Sequence, residues 1–92
     1  MPRPARDVKA ALEQKGFHKT ENDHTFFHLW VNGRKTAIYT KVSHGEKELG
    51  DRLLALMARQ LRLTGKQFRD LVDCSITAHQ LIQHLRLSGH IE

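Results

Sequence analysis

Ninety-two residues at 10.6 kDa, 39% hydrophobic and 27% charged, suffice for one small domain or a domain with an appendage, and they exclude a multidomain enzyme. The formal charge of +5 and a pI near 9.8 point to an anionic partner, nucleic acid or an acidic protein, with plain solubility an equally weighted alternative. No apolar run approaches the roughly 20 residues of a spanning helix, Met1-Pro2-Arg3-Pro4 lacks the apolar stretch of a secretory signal, and the lone Cys74 allows no internal disulfide, so the expectation is a cytoplasmic chain without a membrane.

Val8, Ala11, Leu12 and Lys15 recur at spacings of three and four ahead of Gly16, which predicts a first helix over residues 5 to 15. Phe17 to Lys19 reads as a short strand, Glu21-Asn22-Asp23 as a polar turn, and His24 to Val31, rich in aromatic and β-branched residues, as a longer strand. Asn32-Gly33 is a strong hairpin signal because both residues accept positive φ, and Thr36 to Val42 completes a three-stranded antiparallel meander. Past Gly45 and Gly50, Asp51 is expected to cap a second helix with Leu53, Leu54, Leu56, Met57 and Leu61 on one face. Thr64 with Gln67, and Thr77 with Gln80, have capping-box spacing, so two short helices should follow from about Gly65 to Asp73 and from about Ala78 to Leu87. The fold class is therefore α+β: helix, three strands, helix over residues 1–63, with a helical extension over residues 64–92 packed on the same domain.

Alternation along the middle strand sets Phe27, Leu29 and Val31 on one face and His24, Phe26, His28 and Trp30 on the other. Ile38 and Val42 belong with the first set, while Tyr39 and Lys41 stand beside the second. A surface of rings and ammonium groups can stack unpaired bases and hold phosphates. Strand aromatics more often pack than stack, however, so burial of Phe26 and Trp30, under the extra helices, is the expectation. Of the seven histidines, His24 and His28 lie about 13 Å apart along a strand, too far for one ion, and no cysteine or carboxylate offers a complementary spacing. No metal or other cofactor is expected. His18, His79, His84 and His90 read as ordinary surface residues, and Cys74, without a basic neighbour, as a small packing residue. His24 stands apart because it opens a strand directly after a polar turn, where scaffolds present side chains to ligands.

Helix, three strands and helix, carrying Lys15-Gly16-Phe17, Asn22-Asp23-His24, Phe27, Asn32-Gly33-Arg34, His44-Gly45 and Glu48-Leu49, together resemble the HicA family of toxins over roughly residues 5 to 63. The resemblance implies a double-stranded-RNA-binding-domain-like fold, cleavage of messenger RNA and neutralisation by an acidic HicB-like antitoxin. The family's catalytic histidine, at the start of its second strand, falls on His24, and its second landmark on His44-Gly45. Two departures stand out: Asn22-Asp23 replaces the usual Gly-Ser, and the proline that often precedes the second landmark is absent.

His24 is thus the candidate catalytic base or acid of a metal-independent endoribonuclease, with one positioned acid–base group contributing a factor of about 10² to 10⁴. Lys41, Arg34 and Lys35 are candidate phosphate contacts, Lys19 lies beside the same turn, and His28 and His44 complete the candidate RNA-binding set. The alternative is a noncatalytic RNA-binding module using the basic first part: Lys and Arg outnumber Asp and Glu by 12 to 7 over residues 1–63, but stand at 3 to 3 over residues 64–92. That neutrality argues against a third reading, a DNA-reading helix-turn-helix at residues 64–87. Self-association into a homo-oligomer is left open by the sequence.

Overall fold

A computed structural model describes residues 2–91. The chain runs β1 (Arg3–Pro4), α1 (Ala5–Gln14), β2 (Phe17–Glu21), β3 (His24–Val31), β4 (Arg34–Ser43), β5 (Glu48–Leu49), α2 (Asp51–Gln60), α3 (Gly65–Val72) and α4 (Ala78–Leu87). β2, β3 and β4 form an antiparallel sheet in that order, and β1 pairs with β5 in a separate two-stranded clasp. The class is α+β, with the expected helix, three strands and helix followed by two further helices. No described helix is long and apolar enough to cross a membrane.

Strand alternation decides which face meets the helices. Thr25, Phe27 and Leu29 of β3 and Ile38, Thr40 and Val42 of β4 are buried, and they share one core with Val8 and Leu12 of α1, Met57 of α2, Phe68 and Leu71 of α3, and Leu81 and Leu85 of α4. α1 lies against β2, α2 against β4, and α3 against both α1 and α2. Of the two buried hydroxyls on this face, Thr40 Oγ1 donates to Gln60 Oε1 of α2 at 2.6 Å, so its burial costs little, whereas Thr25 Oγ1 has no partner among the described residues.

At the β3–β4 turn, Asn32 and Gly33 both have positive φ, +53° and +78°, the type I′ conformation that suits the twist of a hairpin. A bulge follows, since His28 faces Tyr39 while Trp30 faces Lys35. β4 thus holds two extra residues there, which keeps Lys35, Tyr39 and Lys41 on one side. Thr36 bridges the gap: its hydroxyl donates to Leu29 O at 2.8 Å and accepts from Ile38 N at 3.2 Å.

Both capping boxes form, with Gln67 N and Gln80 N donating to Thr64 and Thr77 hydroxyls at 3.1 Å. Other expectations are corrected. Gly50, with extended φ and ψ, precedes α2, and Asp51 is its first residue rather than its cap. Leu56 is exposed, because the buried stripe of α2 runs through Leu54, Met57 and Ala58. Cys74 is exposed too, and it ends α3 at φ +60°, with Ser75 N donating back to Asp70 O. The β1–β5 clasp has no sequence signal because two-residue strands carry no periodicity. Arg3 anchors it to α3 through a bidentate pair with Asp73, at 2.7 and 3.1 Å.

α2 ends the same way: Arg62 sits at φ +62°, with Arg62 N donating to Arg59 O and Leu63 N to Ala58 O. Glycine is the usual residue there, since a Cβ is crowded in the left-handed region. Arg62→Gly should therefore raise stability by about 0.5–1 kcal/mol in urea unfolding. A loss of stability would mean that the arginine side chain contributes more than its backbone conformation costs.

Candidate nucleic-acid interface

Among the described residues no helix covers the second face of the sheet. Phe26, His28 and Trp30 are half-buried and Tyr39 is 44% exposed, so the expected burial of Phe26 and Trp30 is overturned. The helices all pack on the opposite face, drawn by its continuous apolar rows. What remains is a surface of touching rings. His28 stacks on Tyr39 with centroids 5.1 Å apart, Phe26 lies 6.4 Å from Tyr39, and His24 meets Phe26 edge-on at 6.4 Å. At the far end His18 stacks flat on Trp30, with centroids 4.6 Å apart and 11° between the planes. His18 is exposed, as its sequence context leads one to expect, and it also flanks this face. The signal that places it here is register: Phe17 pairs with Leu29 on the core side, so His18, opposite His28, must face outward.

The candidate cations separate into three groups. Lys41 is the direct partner of Phe26, and Ser43 that of His24. Lys41 is therefore one diagonal step from His24 on the same face, where backbones lie about 7–8 Å apart. Lys35 is the partner of Trp30 and also lines a hollow of about 350 Å³ with His28, Phe26 and Tyr39. Lys19 does not belong. It pairs with Phe27 across β2–β3, which turns it to the helical side, and it lies 4.0 Å from Glu13 of α1. Arg34, the partner of Val31, is also displaced from this face; it lines a separate groove with Arg86, His90 and Ile91.

His24 opens β3 as a half-exposed imidazole. The turn beside it is closed by Asn22 N donating to His24 O at 3.0 Å, and fastened from outside by His44 Nε2 donating to Asn22 O at 2.9 Å. The two histidines singled out by the resemblance thus meet at one corner of the sheet. His44 holds the turn from which His24 emerges, so one of its ring nitrogens is already engaged.

His28 differs electrostatically from its neighbours. Burial, with Nδ1 enclosed and unpartnered among the described residues, and then the nearby Lys35 ammonium both push its pKa below the ordinary imidazole value of 6.5. It presents a neutral ring for stacking. Because the unfolded chain binds that proton more readily, stability falls as pH drops below about 6.5. Lys35→Ala should raise the His28 pKa in an NMR titration; an unmoved midpoint would assign the whole depression to burial.

Among the described residues no three of His, Cys, Asp and Glu cluster as metal ligands would. No family model matches the chain, and neither a curated protein nor a solved structure does.

Proposed function

We propose that this chain is a metal-independent endoribonuclease of the HicA toxin type, acting on single-stranded RNA laid across the open face of the sheet. The observation that carries the reading is the half-exposed His24, one diagonal step from Lys41 at the end of a face of stacked rings. The motif resemblance supports it from the sequence side. Bases stack on Trp30, Phe26 and Tyr39, a contact worth about 1–3 kcal/mol per base and tolerant of sequence. Lys35 and Lys41 hold phosphates. His24 takes the proton of a ribose 2′-hydroxyl, and the freed oxygen attacks the adjacent phosphorus. Lys41 offsets the charge that grows on the phosphoryl oxygens. The bond to the 5′-oxygen breaks and that oxygen takes a proton from water, leaving a 2′,3′-cyclic phosphate and a 5′-hydroxyl. A neutralising partner has to cover His24 and its cations, so an acidic, HicB-like chain fits.

The test is incubation of the purified chain with single-stranded RNA in a chelator. Fragments ending in cyclic phosphate and 5′-hydroxyl are expected. RNA bound but intact would leave only a noncatalytic RNA-binding module, for which the same stacked face would serve; RNA neither bound nor cut would remove both readings.

A further inference from the structure

The hollow of about 350 Å³ on the open face has six lining residues, and they divide by strand. Phe26 and His28 of the central β3 supply its middle. Thr20 of β2, with Asn22 just past it, borders one side, and Lys35 and Tyr39 of β4 border the other. The three rings have similar planes: Phe26 and His28 differ by 23°, His28 and Tyr39 by 19°, and Phe26 and Tyr39 by 35°. A flat ring laid against them extends the stack. The two margins lie two strand spacings apart, about 10 Å, and they differ in kind. Lys35 brings an ammonium, which only donates, whereas Asn22 brings a carboxamide, which also accepts. The backbone N–H and C=O of Asn22 are taken up by the turn with His24 and His44, and its carboxamide makes no bond among the described residues. All four marginal side chains are exposed, and among the described residues no carboxylate lines the hollow.

We infer that this hollow selects a guanine, carried by the nucleotide next to the cut in single-stranded RNA. The inference rests on the open face being the RNA site proposed above. Guanine is the base whose edges match the two margins. Its acceptors O6 and N7 lie side by side, where one ammonium meets both, and its N1–H and N2–H donors lie on the adjoining edge, where the carboxamide oxygen of Asn22 accepts. Adenine and cytosine place an amino group where guanine has O6, and an ammonium cannot accept from it; uracil has O4 but no acceptor beside it. An ammonium has three N–H bonds, so Lys35 keeps one for a phosphate. His24 meets the Phe26 ring at 6.4 Å, so a base against Phe26 is one step from the ribose hydroxyl that His24 deprotonates. Cleavage is therefore confined to bonds beside a guanine.

The experiment uses strands of about nine uridines in which the central position is kept or set to guanosine, adenosine, cytidine, inosine or 7-deazaguanosine. Affinity is read by fluorescence anisotropy with His24→Ala, so that the strand stays whole, and the cut is mapped with wild type in a chelator. Expected is binding of the guanosine strand about tenfold tighter than the adenosine, cytidine and all-uridine strands, with the cut at a bond adjoining the guanosine. Inosine, which lacks the N2 amine, and 7-deazaguanosine, which lacks N7, should each bind a few-fold more weakly than guanosine. Asn22→Ala should remove the difference between guanosine and inosine, and Lys35→Gln that between guanosine and 7-deazaguanosine, each leaving the other difference in place; a merely structural effect would weaken all strands alike. Equal affinity for all strands, or a preference for another base, would overturn the inference while leaving RNA binding intact. No strand bound or cut by either protein would overturn it together with the reading beneath it. Free GMP bound as tightly as the guanosine strand would make the hollow a mononucleotide site and overturn it as well.

Discussion

Replacing His24 with alanine should lower the rate of RNA cleavage by about 10² to 10⁴, the usual contribution of one positioned acid–base group. Binding should change far less, because the stacked rings and Lys35 and Lys41 remain. The fold should survive as well: the side chain is half-exposed and its ring meets Phe26 edge-on, so no cavity is created. Wild type and variant purified in parallel and assayed on one RNA separate the chain's own chemistry from a contaminating nuclease. Equal rates would remove His24 from the mechanism. His44→Ala supplies the contrast, since the bond it loses fastens the Asn22 turn. Its rate should fall by less than that of His24→Ala, with the loss arising from a loosened His24.

Residues with strong local chemistry were legible in the sequence, and residues whose role depends on register were not. Asn32-Gly33 specifies its turn through φ alone, and the two Thr and Gln boxes specify their helix starts, so these fall where expected. Alternation along eight residues of β3 likewise separates core from open face. Lys19 lies near His24 in sequence and turn, but its direction is fixed by pairing with Phe27, a tertiary fact. The same pairing brings His18 onto Trp30. Phe26 and Trp30 read as buried because aromatic strands usually are. Which face the helices cover depends on the sum of apolar side chains, and the row of Phe27, Leu29, Ile38 and Val42 outweighs two rings interleaved with histidines. Arg62 and Cys74 end helices without glycine, so the left-handed stops of α2 and α3 leave no sequence mark.

Phe68→Ala should destabilise the whole chain by about 3–5 kcal/mol, a large share of the 5–15 kcal/mol typical of a domain. Phe68 is 1% exposed on α3, beyond the helix, three strands and helix that precede it, yet α3 lies against both α1 and α2, and its buried residues belong to the same core as Phe27 and Leu12. Removing the ring leaves a cavity between helices that are held by other contacts and collapse only in part. In a domain this small, each kcal/mol moves the midpoint by about 4–8 °C, so thermal unfolding should shift down by well over 10 °C in one cooperative step. Leu87→Ala, at an 82% exposed position, should leave the midpoint nearly unchanged. If residues 1–63 instead formed an independent domain, Phe68→Ala would loosen only the extension, and circular dichroism would show two transitions with the sheet melting at the wild-type temperature. A chain ending at residue 63 carries the same logic further, because it uncovers the sides of α1 and α2 against which α3 packs. It should fail to unfold cooperatively, and the groove that depends on α4 would be lost with it.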